Sequence, residues 1–260
     1  MNFEFSSDQM LLKDQARKFL ENEESVKKAR EVLEGDQTHD ESLWRSVVEM
    51  GWTATTIPEE FDGLGLGYLE LCVIAEELGR SLAPTPFSSS VYLATEALIN
   101  QGSKEQHQKY LPKLAAGEIV GTLAHTETTS SPSPENLNCE LKNNKLNGTK
   151  IAVIDGDVAN FAVVSAKEGD KVVLGLVDLS SKGVEVTSQN TLDPSRSHAC
   201  IKFKDADAEI LGSSQDGWTA LQEILDRAAV LFAFEQLGGA EACMNMAKEY
   251  AMGRFAFGRP

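Results

Sequence analysis

The sequence predicts an α+β chain of several domains: an N-terminal helical domain over residues 1–118, a middle antiparallel β domain over 119–213, and the start of a C-terminal helical bundle over 214–260. Three observations predict it. Apolar residues recur at helical spacing as far as Glu118, short runs rich in Val, Ile and Leu then alternate with turn residues, and the helical period returns near Asp216.

The first helix reads from SSDQMLLKDQARKFL, where Ser or Asp caps and Leu12, Ala16, Phe19 and Leu20 form one apolar stripe. A second is capped by Asp40, with Leu43, Trp44, Val47 and Val48 inward and Gly51 placed to stop it. After the turn-forming stretch IPEEFDGLGLG, a third carries Leu71, Ile74, Ala75 and Leu78 on one side. SSVYLATEALINQG and SKEQHQKYLPKLAAGE follow, the second capped by Ser103 and due to be kinked or shortened at Pro112. In the β region, Glu168-Gly169-Asp170 joins FAVVSAK to KVVLGLVDL as a hairpin, making those strands antiparallel neighbours. The pattern from Asp216 is the longest helix of the chain. One long helix cannot bury its own apolar face, so this part reads as begun and not completed at FGRP.

Charge and composition remove several function classes. With 24 Lys+Arg against 40 Asp+Glu, the net charge of −16 argues against a partner bound through a phosphate backbone, so no nucleic acid is expected. No apolar run approaches the ~20 residues of a membrane span, and MNFEFSSDQM has neither the basic start nor the apolar core of a signal peptide. A cytoplasmic location is the resulting expectation. Cys72, Cys139, Cys200 and Cys243 lie far apart with no CxxC pair, which points to separate reduced thiols and no zinc site.

GLGLG at 63–67 has a Gly-x-Gly spacing, but helical segments flank it where a phosphate loop needs a strand and a parallel sheet, so it is a structural turn. His39, His107, His125 and His198 form no metal or triad pattern, and no GxSxG elbow supports a hydrolase. His125 stands apart only through its neighbours. The pairs Glu23-Glu24, Glu59-Glu60 and Glu76-Glu77 read as solvated faces. Glu235, inside the apolar run AAVLFAFEQLGGA, needs either a hydrogen-bonding partner or a raised pKa, and therefore has both a structural and a functional reading.

Three strings carry a resemblance: WRSVVEMGWTATTIPEEFDGLGLGYLELCVIAEELGRSLAPTPF, LNGTKIAVIDGDVANFAVVSA and KEYAMGRFAFGRP. Together with the order of domains, they resemble the acyl-CoA dehydrogenases, flavoenzymes that introduce an α,β double bond into acyl-CoA thioesters. The resemblance implies FAD as cofactor, an acyl-CoA substrate, an electron-transfer flavoprotein as electron acceptor, and a homo- or hetero-tetramer. It also implies cofactor-binding positions at Leu123, His125, Thr126, Ala152, Ile154, Arg254 and Phe257, and substrate-binding positions at Ser131 and Ser133.

Departures from the family pattern are informative. The family's T-E-P-G-A-G-S-D motif falls on Thr126–Ser133, where Thr126 and Glu127 match and the Gly-Ser-Asp end does not. The aromatic beside the flavin ring falls on Ala152, and the hydroxyl that bonds flavin N5 falls on Ile154. Arg254, Phe257 and Gly258 match the family's contact with the FAD of a neighbouring subunit, while the expected Gln is Ala256. The family's carboxylate base lies either beyond Pro260 or at a position that here falls on Ala228, with Asp226 and Glu235 out of register. Two functions are consistent with this pattern. One is a catalytic FAD-dependent dehydrogenase whose base lies outside these residues. The other is a non-catalytic partner subunit of a heteromeric dehydrogenase, of the kind that handles sterol side chains and other bulky acyl groups.

Overall fold

The computed structural model describes residues 4–212 and 216–259. The expected boundary at 213/214 lies outside the described residues. Helices α1 (Ser7–Asn22), α2 (Ser25–Glu34), α3 (Glu41–Glu49), α4 (Tyr68–Arg80), α5 (Glu96–Gln101) and α6 (Lys104–Ala115) form the first part. Their starts are written locally. Ser6 and Ser103 close capping boxes with Gln9 and Gln106, and the Asp40 carboxylate accepts from the Leu43 amide at 2.7 Å. Helix α6 runs three residues past Pro112, whose missing N–H falls close to the helix end.

The pair Glu76-Glu77 is not solvated, contrary to expectation. Both side chains are buried where α4 meets α1, because Lys13 and Arg17, one turn apart on α1, reach across. Lys13 meets Glu76 at 2.7 Å, and Arg17 holds Glu77 through two hydrogen bonds of 2.6 and 2.9 Å. The GLGLG segment is a structural turn: a Cβ at Gly63 would sit 1.9 Å from the Ile57 carbonyl oxygen, Gly65 has φ +59°, and Gly67 starts α4.

Strands β1 (Gly121–Ala124), β2 (Glu140–Lys142), β3 (Lys145–Ile154), β4 (Phe161–Glu168), β5 (Lys171–Asp178), β6 (Val184–Ser188), β7 (His198–Asp207) and β8 (Glu209–Ile210) form one sheet in the order β6-β7-β3-β2-β4-β5-β8, with β1 also on β4. The β4–β5 hairpin pairs Glu168 with Lys171 as expected. The sheet is mixed where a purely antiparallel one was expected, because β1 and β2 both run parallel to β4. The chain leaves β1, crosses over residues 125–139 and turns from β2 into β3 at Asn143-Asn144, both at positive φ, and the parallel pairings with β4, which are non-local, leave no alternation signal. Successive residues face opposite ways, so Leu123 and Val163 join the core shared with the helices, while Ala124 and Val164 join the core inside the sheet.

Helix α7 (Gly217–Gly253) is capped by Asp216 and is the longest helix among the described residues. Its buried stripe runs Ala220, Leu221, Ile224, Ala228, Leu231, Glu235, Gly238 and then stops. At that point α7 crosses α4 backbone to backbone: a Cβ at Gly238 would lie 1.8 Å from the Glu76 carbonyl oxygen, and one at Gly79 would lie 2.1 Å from that of Glu235. Beyond the crossing, Met244, Met246, Tyr250, Met252 and Phe255 are exposed.

Candidate functional site

The expected cofactor positions on β1 and β3 come together at one end of the sheet. The Thr122 hydroxyl donates to the Ile154 carbonyl at 2.6 Å, and the Ile151 amide donates to the Thr126 carbonyl at 2.8 Å. Between these two bonds β3 is irregular. Its register against β7 shifts between Lys150 and Val153, and Ala152 sits at φ +50° with its amide bonded to the Gln189 side chain at 2.8 Å. This bulge lets Lys150 and Val153, three residues apart, both point inward. Ala152 and Ile154 are left outside Val153's face, and Leu123 and His125 outside Ala124's.

The inner side of the bulge is electrostatically complete. Lys150, fully buried, donates to Glu127 at 2.7 Å and to Ser165 at 3.0 Å, while Glu127 also accepts the amides of Asn138 and Cys139 at 2.6 and 3.1 Å. Burial pushes the Glu127 carboxyl up, but Lys150 and the two amides outweigh it and hold it below its ordinary value. Glu127 thus staples residues 128–138 to the sheet. On that loop Ser131 is exposed, and Ser133 is half-buried with its hydroxyl accepting from the Asn136 amide at 3.3 Å.

The outer side is apolar with one exception. Leu123, Ala152 and Ile154 offer no polar side-chain atom, and the Nδ1 of half-buried His125 is closed off from solvent with no hydrogen-bond partner. Burial, with a smaller contribution from Lys150, lowers the His125 pKa, which keeps the imidazole neutral at pH 7.

Arg254 and Phe257 do not join this cluster. From Gly238 to Arg254 the helix advances about 24 Å. Arg254 lies over the Tyr250 ring and hydrogen-bonds its hydroxyl, and Phe257 is fully exposed on a tight turn closed by Ala256 and Arg259, with Phe257 and Gly258 both at positive φ. Within one chain these side chains have nothing to hold.

The carboxylates near the family's alternative base position do not replace it. Ala228 is fully buried in the helical core, and Asp226 is exposed. Glu235 takes its structural reading: Arg196 on the loop before β7 donates to it at 2.6 Å and to the Ser88 hydroxyl at 3.0 Å. Ser89 donates to Asp155 at 2.7 Å, and the Asp155 amide bonds the Ser197 carbonyl at 2.8 Å. These contacts join α7, the sheet and the π-helical turn Ser88–Thr95, which runs on into α5. Sequence reasoning missed Arg196 and Asp155. The signal available for Asp155 was a carboxylate directly after an apolar strand; for Arg196 there was none.

The described cysteines are all free, no group of His, Cys, Asp and Glu among the described residues could hold a metal, and no helix among them is long and apolar enough to cross a membrane.

Residues 6–118 match the family model described as "Acyl-CoA dehydrogenase, N-terminal domain". Over 258 residues the chain is 30% identical to acyl-CoA dehydrogenase IpdE2 of Mycolicibacterium smegmatis, covering 98% of this chain and 68% of that protein. This chain belongs to the acyl-CoA dehydrogenase family. The mitochondrial isovaleryl-CoA dehydrogenase of Solanum tuberosum is 30% identical over 237 residues, which cover 85% of this chain and 58% of that one. In structure, this family member superimposes on the ChsE4-ChsE5 complex from Mycobacterium tuberculosis with a TM-score of 0.88 at 26% identity, covering 100% of this chain and 71% of that one. The chain spans 58% of the length of the potato relative, less than two thirds.

The residues of this family member fit a flavin in part. The orphaned His125 Nδ1 on an otherwise apolar face and the fully exposed Phe257 are groups that gain partners when such a molecule is bound, and Arg254, held within the chain only by Tyr250, is free to add an anionic one. The side chains at Ala152 and Ile154 provide neither a ring nor a hydroxyl.

Proposed function

We propose that this chain is a subunit of an FAD-dependent acyl-CoA dehydrogenase that oxidises an acyl-CoA thioester between its α and β carbons. The observation that carries the reading is the family match along almost the whole chain, joined to an apolar strand-end face with a single unpaired nitrogen. Bound flavin supplies the two-electron acceptor for the β-hydride. This chain's own part is to hold it: His125, Thr126, Ala152 and Ile154 line one side, backed by Leu123 in the core shared with the helices, and Arg254 with Phe257 reach the flavin of a neighbouring subunit. Ser131 and Ser133, on the loop stapled by Glu127, face the thioester's carrier arm. The carboxylate that removes the α-proton comes from outside residues 1–260. A tetramer, homomeric or heteromeric, and electron transfer to an electron-transfer flavoprotein complete this reading.

A second reading is favoured by Ala152, Ile154 and Ala228, which lack the three functional side chains of the family. In it the subunit does no chemistry itself and lends Arg254 and Phe257 to a partner's FAD. One experiment addresses both. The complete protein is purified with its natural assembly, and flavin is counted per subunit in wild type and in Arg254→Ala. Loss of flavin in the variant supports the interface role, and unchanged flavin refutes it. Acyl-CoA oxidation by wild-type homomer favours the first reading; activity only with a different partner subunit favours the second.

A further inference from the structure

A cleft of about 500 Å³ opens between helix α6 and the sheet, and none of the expected cofactor or substrate positions lines it. Its floor is hydrocarbon: Ile119 ahead of β1, Ala159 and Phe161 at the entry to β4, Leu179 just after β5 and Val186 on β6. These residues meet only in the folded sheet. Tyr110 of α6 closes the helical side, its ring tilted against that of Phe161 with centroids 5.0 Å apart. A floor of this make-up takes the apolar body of a small molecule, and the groups on the rim then decide which kind.

The rim carries its cations on one wall. Lys109 and Lys113 are one turn apart on α6 and share a side of the helix. Lys109 lies 4.8 Å from the Tyr110 ring centroid and reaches Glu209 only at 3.7 Å, and Lys113 has no ion pair or side-chain hydrogen bond among the described residues. The carboxylates on the cleft wall are already supplied with donors. Asp157 accepts from the Ser188 and Ser197 hydroxyls at 2.7 and 2.6 Å, and Asp178 accepts from the amide and hydroxyl of Ser180 at 2.8 and 2.6 Å. The Asn160 side-chain oxygen accepts from the Val120 amide at 2.8 Å, which leaves the side-chain NH2 unbonded. What the cleft has left to offer is therefore hydrogen-bond donors and positive charge, in a chain whose net charge is −16. We propose that it binds a small organic anion with a flat apolar body, an aromatic carboxylate by class, with the rings on the floor and the carboxylate at Lys109 and Lys113. The site is separate from the strand-end face and does not depend on the flavin reading.

An ion pair at an open rim is worth little, so the floor supplies most of the affinity and the lysines supply the preference for an anion. The test uses the complete protein in its natural assembly and two probes of one shape, 2-naphthoate and the uncharged 2-naphthamide, titrated by calorimetry. Wild type is expected to bind naphthoate with a dissociation constant of about 1 mM or below, and naphthamide about three- to fivefold more weakly. In Lys113→Gln naphthoate weakens about threefold and naphthamide does not change. Asp178→Asn, which keeps the acceptor for Ser180 and removes a negative charge from the rim, tightens naphthoate about twofold. Ser180→Trp, a bulky group at an exposed rim position, abolishes binding of both probes. The three substituted residues are exposed, and melting curves verify that the variants fold. No binding of naphthoate by wild type, equal binding of the two probes, or naphthoate binding that survives Ser180→Trp overturns the proposal. So does tighter binding of the cationic 2-naphthylmethylamine than of naphthoate, which would give the carboxylates the upper hand.

Discussion

The two sides of the bulge in β3 are opposites. Inside it, Lys150 bonds Glu127 and Ser165, and Glu127 also accepts two backbone amides; outside it, Ala152 and Ile154 are bare and His125 Nδ1 is unpaired. The same backbone irregularity makes both, since it turns Lys150 and Val153 to one side within three residues. The difference teaches where folding and binding have been separated: polar groups that satisfy one another stabilise the chain, and a polar atom left over is available to something else.

The strongest way to break this contrast is to remove the inner cation. Lys150→Met leaves the nearly buried Glu127 carboxylate with no cation and only two backbone amides as partners, and urea unfolding is expected to show a loss of about 3–5 kcal/mol. A loss below about 1 kcal/mol would mean that the inner side is no more committed than the outer one.

A somewhat smaller effect belongs to the next carboxylate along the chain. Burial pushes Asp155 up to about 6, against bonds from Ser89 and Ser197 that favour the charged form. Its folded value lies above the ordinary 3.8, so the stability it contributes is full below about pH 4 and is lost as the pH rises through about 6. Asp155→Asn cannot ionise. Between pH 4 and pH 7 it should therefore gain about 2–3 kcal/mol relative to wild type in paired denaturation curves. A constant difference across that range would place Asp155 among ordinary exposed acids and blur the contrast.

The smallest effect sharpens the bulge itself. Ala152 is held in the left-handed region, so Ala152→Gly is expected to stay within about 0.5 kcal/mol of wild type, while the β-branched Ala152→Val loses about 1–2 kcal/mol. Thermal melts of the two variants check this. Equal losses would show that the backbone there is not the constraint.

Much of the helical part was legible because its signals are local: Ser6, Asp40 and Ser103 cap where they should, and Ala16, Leu20, Leu43 and Val47 are inside. Helix α2 was not, because Glu24 starts it in a left-handed conformation without a side-chain cap and only Ser25, Ala29 and Val32 are buried. Glu76 and Glu77 misled for a related reason, since their partners Lys13 and Arg17 are 63 and 60 residues away in sequence. The parallel neighbours of β4 are invisible to period-two alternation, which tells faces apart and not partners. At the candidate site, the motif strings located the strand-end positions, but the orphaned nitrogen of His125 and the clamp of Arg196 on Glu235 depend on how β1, β3 and α7 meet.

The close approach of Gly79 to the Glu235 backbone and of Gly238 to the Glu76 backbone has a consequence for the outer end of α7. Two backbones that touch allow neither sliding by a residue nor rolling about the axis, because either motion drives a side chain into a carbonyl oxygen. With about 100° of rotation per residue, fixing the azimuth at Gly238 also fixes the compass direction of Tyr250 and Arg254. The helix thus behaves as a rigid spoke whose heading is chosen at its hub, and a methyl group added at Gly238 would re-aim the guanidinium at its tip without altering any residue near it.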